Sequence, residues 1–236
     1  MAKEGDLGIS VQTIEDLPLE ALAFAVLQNF AASDSWNSSN WLLAARKELG
    51  KGPHLKALAE AWAWLNARGL VVRDVNQSSS DARVVSRAGM HALERNSVDE
   101  VVAAERIGLD LHPRLDGKVR PIFLLGDHET AAFKAMKEVE VRVRDLSGAA
   151  SDSIGVSLMR HAFHSETGPL ADPAHEGGEK QARSDLFAGV IGSFKNPTSH
   201  RPVTYANPVE ASEVILLADL LMRILDGVES RMEDSK

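Results

Sequence analysis

The sequence has no cysteine among its 236 residues. That removes a disulfide scaffold, a thiolate zinc site and a cysteine nucleophile from its possible chemistry, and it fits a reducing compartment. No apolar run approaches the ~20 residues that a membrane-spanning helix needs. Residues 1–20 carry no apolar stretch behind a basic start, so no secretory leader is expected. A cytoplasmic location and no membrane partner are the expectation. Basic charge is not in excess either: 26 Lys and Arg against 34 Asp and Glu give a formal charge of −8. This argues against non-specific coating of nucleic acid or anionic lipid, while leaving room for a local basic cleft. There is no glycine-rich phosphate loop, nucleophile elbow or dinucleotide fingerprint, and no internal repeat. What is present is a 44% hydrophobic chain, ordinary for a globular protein and long enough for one large domain or two small ones.

Most long segments repeat with the period of a helix. Leu19, Leu22, Ala23, Val26 and Phe30 fall on one helical face. Ser38-Ser39-Asn40 offers capping oxygens to a second helix that Gly50 can close. Pro53 opens a third, with Leu55, Leu58, Ala59, Trp62 and Leu65 on one stripe and Gly69 at its end. The period then changes. Leu70 to Val75 and Ala82 to Ser86 are short and β-branched around a polar turn, the pattern of a hairpin. A helix resumes at Ala88 to Arg95, and Asn96 to Asp110 reads as a partly helical connector in which Val98, Val101 and Val102 can pack.

The charge divides unevenly. Residues 1–97 hold ten basic and eleven acidic side chains, and residues 98–236 hold sixteen and twenty-three. The predicted domains are therefore 1–97 and 98–236, the second carrying the acidity. In that half Gly126 to Leu146 reads as a long amphipathic helix with Ala132, Met136, Val139 and Val143 inward, and with Glu138–Arg142 and Glu140–Arg144 in the favourable i, i+4 order. Gly155 to Phe163 predicts a shorter helix. Ser165 to Gly178, rich in Gly and Pro, reads as a mobile loop, and Ser184 to Lys195 as a helix stopped by Asn196-Pro197. A last helix has Asn207 as N-cap, Pro208 at its first position and Glu210 to close a capping box, and it buries Val214, Leu217, Leu221 and Leu225.

The segment Phe194-Lys195-Asn196-Pro197-Thr198-Ser199-His200-Arg201 places a cation, an amide and an imidazole around a helix break. RNA cleavage uses the substrate's own 2′-OH as nucleophile, so an enzyme needs a proton acceptor near neutral pH and a positive charge for the phosphorane. His200 suits the first role, and Lys195 or Arg201 the second. The plainer reading is a helix stop with a packed or capping histidine. His161 and His164, with Glu166 nearby, invite a metal site, yet no third ligand has diagnostic spacing, and no metal is expected. Glu138, Glu140, Arg142 and Arg144 either border a cleft or form an ion-paired helix face, and His112-Pro113 reads as a turn. In the first half Arg73, Arg83 and Arg87 belong to a local basic excess around the hairpin. The third helix offers Glu60 and apolar residues rather than the Arg, Asn and Gln that read bases. A protein-interaction or dimerisation module is favoured over a sequence-specific DNA binder, with Trp62 in the core and Trp64 as a possible contact.

Three helices and a hairpin over residues 15–95, with Trp64-Leu65-x-x-Arg68-Gly69-Leu70-Val71 and Ser86-Arg87-Ala88-Gly89, resemble a winged helix-turn-helix. Residues 111–236 resemble the Ymh family, within the HEPN superfamily of helical ribonuclease-like domains. The resemblance rests on Leu111-His112-Pro113, Gly126-Asp127-His128, Ala135-x-x-Glu138-Val139-Glu140-Val141-Arg142, Gly155-Val156-x-Leu158-Met159-x-x-Ala162-Phe163, and Leu186-Phe187-x-Gly189 followed by Asn-Pro-x-x-His. The implied fold class is mainly α: a winged-helix module followed by an all-helical HEPN bundle. HEPN nucleases carry an Arg, four to six residues, then His, and two copies meet across a homodimer to form one metal-independent RNA-cleaving site. By that resemblance His200 is the acid/base, Asn196 its polar companion and Lys195 the cation. Lys stands where the general motif has Arg, keeping the charge but losing the planar fork. Arg201, Glu138 and Arg142 are the implied substrate contacts.

The implied function is an endoribonuclease of toxin or antiphage-defence type. It needs no cofactor, acts on RNA as a homodimer or higher homo-oligomer, and is controlled by assembly or by a sensor or inhibitor protein. The alternative is a non-catalytic regulator whose winged helix binds DNA or a partner and whose HEPN domain dimerises.

Overall fold

In a computed structural model, residues 8–108, 110–196, 204, 205 and 207–234 are described. They form two compact units that divide between Val101 and Val102. Among the described residues are eleven α-helices and one two-stranded sheet, so the fold is mainly α.

The first unit runs α1 (Val11–Asp16), α2 (Leu19–Ala32), α3 (Ser38–Leu49), α4 (Pro53–Ala67), β1 (Val71–Arg73), β2 (Arg83–Val85) and α5 (Arg87–Arg95). The stripe on α2 packs on α4 and buries Leu22, Ala23, Val26, Leu27 and Phe30. At its centre Trp62 meets Phe30 edge-on at 4.9 Å and Trp41 at 5.6 Å. Trp64 is buried as well, with the Arg68 guanidinium 4.1 Å above its ring. It is therefore core rather than an exposed contact. The strands pair antiparallel with Val72 opposite Val84. Asn37, which bridges to Ala82, also caps α3 by accepting from the Asn40 amide at 3.0 Å. The cap is thus one residue before the serines that the sequence suggested.

Ser86 caps α5 by accepting from the Gly89 amide, and this turn sits tightly on the hairpin. A Cβ at Gly89 would run into the Leu70 carbonyl and lie 2.7 Å from the Val85 side chain. Gly89→Ala is expected to destabilise the first unit by roughly 1–3 kcal/mol, the usual cost of overpacking. Urea denaturation monitored by tryptophan fluorescence reads this, and an unchanged midpoint would show that the α5–hairpin contact gives way freely.

α6 (Asp99–Gly108) contains the division. The second unit continues with α7 (Pro113–Leu124), α8 (His128–Ser147), α9 (Gly155–Ala162), α10 (Gly177–Val190), a π-helical segment Ile191–Lys195, and α11 (Pro208–Asp234). Helix α8 is its axis, flanked by α7, α9 and α11. The α8 residues expected inward, Ala132, Met136, Val139 and Val143, are all buried. Phe163 stacks on Phe187 at 4.2 Å. On α11, Val214, Leu221 and Leu225 are buried and Leu217 is half-buried. Asn207 accepts from the Val209 amide at 2.7 Å.

Two elements differ from expectation. α7 lies where no element is expected, and Gly117 and the internal Pro121 speak locally against a helix. Burial of Leu115, Val119 and Phe123 outweighs the ~3 kcal/mol that an interior proline costs. α10 begins at Gly177 rather than Ser184: Glu176 and Glu179 form a capping box that offsets the poor propensity of two glycines. The loop before it is tied down by buried Leu170 and by Arg231, which donates to Asp172 at 2.7 Å and to the Leu170 carbonyl at 3.1 Å.

Candidate functional site

The chain reaches Lys195 and Asn196 through a π turn, in which the Asn196 amide donates to the Ile191 carbonyl five residues back. Such turns rotate the side chains that follow them and concentrate at functional sites. Here the turn brings Lys195 and Asn196 onto the start of α9 and the middle of α8.

Glu140 of α8 is the focus. Its side chain is 5% exposed and holds three groups: the Gly155 amide at 2.7 Å, the Arg144 guanidinium at 3.2 Å and the Lys195 ammonium at 3.4 Å. α9 has no side-chain cap of its own, since its N-cap residue is Ile154. The Glu140 carboxylate takes that place at the positive end of the helix. Gly155 enters α9 with φ +65°, a conformation that favours glycine, and the Asn196 side-chain oxygen lies 3.5 Å from where its Cβ would be. Arg144 is fixed from the other side by donating to the Ser153 carbonyl at 2.8 Å. Two cations share one carboxylate beside the Asn196 amide. Such a group can stabilise an oxyanion or a phosphate.

His200 and Arg201 lie outside the described residues. Glu138 and Arg142, two residues either side of Glu140, point elsewhere. Glu138 does not pair with Arg142; it binds Lys118 at 2.7 Å and Lys134 at 3.0 Å. Burial alone would push the Glu138 carboxyl up, but hydrogen bonds from Lys118 and Lys134, with their charges, outweigh it and hold the group below its ordinary range. A carboxyl lowered in the folded state contributes stability above its unfolded value, near 4.3, and loses it as pH falls through the folded value. Removing Lys118 moves the folded value back toward the unfolded one, so Lys118→Met should be less stable near neutrality and lose less stability toward acid than the wild type. Denaturation midpoints from pH 6 down to pH 3 test this, and superimposable profiles would count against it.

Arg142 is 3% exposed and faces α11, reaching Asp226 at 2.6 Å, Glu229 at 2.7 Å and the Met222 carbonyl at 3.1 Å. His112 joins it, with Nε2 3.3 Å from Arg142, while its Nδ1 accepts from the Arg114 amide and caps α7. His112-Pro113 is thus the N-cap and first residue of α7 rather than a turn. His164 Nδ1 accepts from the Glu166 and Thr167 amides, and among the described residues no group of three or more His, Asp or Glu is placed to hold a metal. In the first unit Arg83 braces the hairpin, donating to Asn66 at 3.1 Å and to the Ser80 carbonyl at 2.9 Å, whereas Arg73 and Arg87 are exposed. No described helix is long and apolar enough to cross a membrane.

Residues 109–225 match the family model Hypoth_Ymh, described as a protein of unknown function. This is the segment whose motifs resemble the Ymh family. No curated protein and no solved structure matches the chain.

Proposed function

We propose that residues 98–236 are a HEPN-type helical domain acting as a metal-independent endoribonuclease, with Lys195 as the phosphate-stabilising cation, Asn196 as its polar companion and His200 as the acid/base. The observation that carries this reading is the Glu140 cluster. It holds Lys195 in place at the end of a π turn, puts two cations on one carboxylate, and stands the Asn196 amide beside them immediately before the segment containing His200. A role in toxicity or antiphage defence follows from the resemblance alone. Arg201 is the remaining candidate for substrate contact. Glu138 and Arg142, each bound to neighbours on other helices, serve the packing of α8.

One Lys–His motif offers too few groups to donate and accept protons, and a second copy across a two-fold axis supplies them. Leu216 and Leu220, exposed one turn apart on α11, offer apolar surface for that contact. Purified protein should cut RNA in EDTA, leave 2′,3′-cyclic phosphate ends and sediment as a dimer. Full activity in a strictly monomeric protein would defeat the composite site, and failure to cut any RNA would defeat the enzyme.

A second reading has its own observation. Lys195 is 12% exposed and already engaged by Glu140, as suits a structural cation in a regulator. In that case the first unit does the binding. Its order of helices and hairpin, with Asn37 bridging to Ala82, supports a winged helix, and exposed Arg73 and Arg87 favour weak, salt-sensitive contact over base reading. A regulator should be harmless on overexpression and shift DNA or a partner protein.

A further inference from the structure

A cavity of about 230 Å³ opens in the second unit between loop 163–176, α10 and α11. It lies at the far end of α10 from Lys195, about 20 Å along the helix, and shares no residue with the Glu140 cluster. Phe163, Leu170 and Val228 are buried in its wall, so they close the cavity rather than offer a surface to an occupant. The reachable part is the rim, and the rim is cationic. Lys180 and Arg183, half-buried one turn apart on α10, are joined there by Arg231 of α11. The one carboxylate in the lining, Asp172, is engaged by Arg231 at 2.7 Å and by the Ala174 amide at 2.9 Å, with His175 at 3.8 Å. Lys180 and Arg183 have no side-chain partner among the described residues. Two like charges one turn apart repel each other, and half-burying them without a counter-charge adds to the cost. Residues 98–236 carry sixteen basic and twenty-three acidic side chains, yet this rim has the opposite balance.

We infer that this rim binds a phosphate dianion. Two uncommitted cations match its two negative charges, and the Arg183 guanidinium can take two of its oxygens at once. A carboxylate or an internal phosphodiester carries a single charge and would leave one cation unpaired. The cavity is smaller than the ~300 Å³ at which sites for drug-sized ligands begin. That size excludes a larger molecule and suits a group of five heavy atoms. The dianion is either free inorganic phosphate or the phosphate that ends a nucleic-acid strand, whose remaining nucleotides stay outside the cavity.

Calorimetric titration of the full chain with inorganic phosphate, acetate, and DNA hexamers bearing a 5′-phosphate or a 5′-hydroxyl decides it. The titrations are run above pH 7, where the phosphate is mostly dianionic, and at constant ionic strength, which holds screening fixed. DNA lacks the 2′-OH, so binding is read apart from any RNA cleavage. The expected result is binding of inorganic phosphate or of the phosphorylated hexamer, with acetate and the hydroxyl hexamer roughly tenfold or more weaker. Affinity should fall roughly tenfold or more in Lys180→Gln/Arg183→Gln and recover in part in Lys180→Gln/Arg183→Lys. It should be unaltered in Lys56→Gln, which removes an exposed cation of the first unit. Phosphate that binds as tightly as the phosphorylated hexamer assigns the free ion, and tighter binding of that hexamer assigns a strand end. No binding of either, acetate or the hydroxyl hexamer matching the better phosphate ligand, full affinity in a folded double variant, or an equal loss in Lys56→Gln would each overturn the site.

Discussion

On the proposed ribonuclease reading, His200→Ala is expected to lower RNA cleavage by roughly 10²–10⁴-fold, the usual contribution of a positioned acid/base, while leaving the fold intact. The buried network beneath the site is built from Glu140, Arg144, Lys195 and the Gly155 amide. Lys195→Ala should reduce cleavage too, because it removes the charge facing the phosphorane. It should also lower stability, since Glu140 loses one of its two cations. That pairing of effects separates the two residues: His200→Ala is a rate variant with wild-type Tm, whereas Lys195→Ala moves both. Lys195→Arg is the most telling change. On the proposed HEPN reading, arginine restores the motif's cation and can grip Glu140 and a phosphate through a planar fork, so cleavage should be kept or increased. Growth arrest on expression gives a first readout, and initial rates on RNA in EDTA give the magnitude. Undiminished toxicity of His200→Ala would remove the imidazole from the mechanism. A folded, dimeric Lys195→Arg protein that cuts no RNA would favour the regulator.

How far such a site can be read from sequence depends on the contact involved. The helices with one clean apolar stripe, α2, α4 and α8, are visible in the sequence because a single periodicity decides them. α7 is not, because Gly117 and Pro121 speak locally against it while its stability comes from Leu115, Val119 and Phe123 packing on α8. The start of α10 is hidden for the same reason, behind Gly177 and Gly178. At the site, the Asn196-Pro197 break is a strong local signal and draws attention to Lys195. The partner of Lys195 is not a local matter. α8 carries Glu138, Glu140, Arg142 and Arg144 at every second position, and residues two apart point to different sides of a helix. Which pair meets Lys195 is decided by α7 and α11, which take Glu138 and Arg142 and leave Glu140 and Arg144 toward α9. The π turn leaves no mark in periodicity, and neither does the Gly155 amide that Glu140 caps.

Glu140→Ala is expected to destabilise the second unit by about 3–5 kcal/mol, the cost of breaking a buried ion pair by removing one partner. Three groups lose a contact together: the Gly155 amide, Arg144 and Lys195. The amide loses the cap on α9, and the two cations, 17% and 12% exposed, repel each other with no carboxylate between them. Against a typical domain stability of roughly 5–15 kcal/mol this is a large fraction. Glu140→Gln keeps an acceptor for the Gly155 amide and loses only the charge, so it should cost less, about 1–3 kcal/mol. Urea unfolding followed by circular dichroism gives the order wild type, Gln, Ala, and a Glu140→Ala cost below about 1 kcal/mol would show that water reaches the cluster and replaces the carboxylate. The coupling to Lys195 is measurable separately. In a double-mutant cycle with Lys195→Ala the combined loss should fall short of the sum, because both substitutions remove the same Glu140–Lys195 contact. Strict additivity would mean that Glu140 supports α9 without holding Lys195, and the cation would then have to be positioned by something other than this carboxylate.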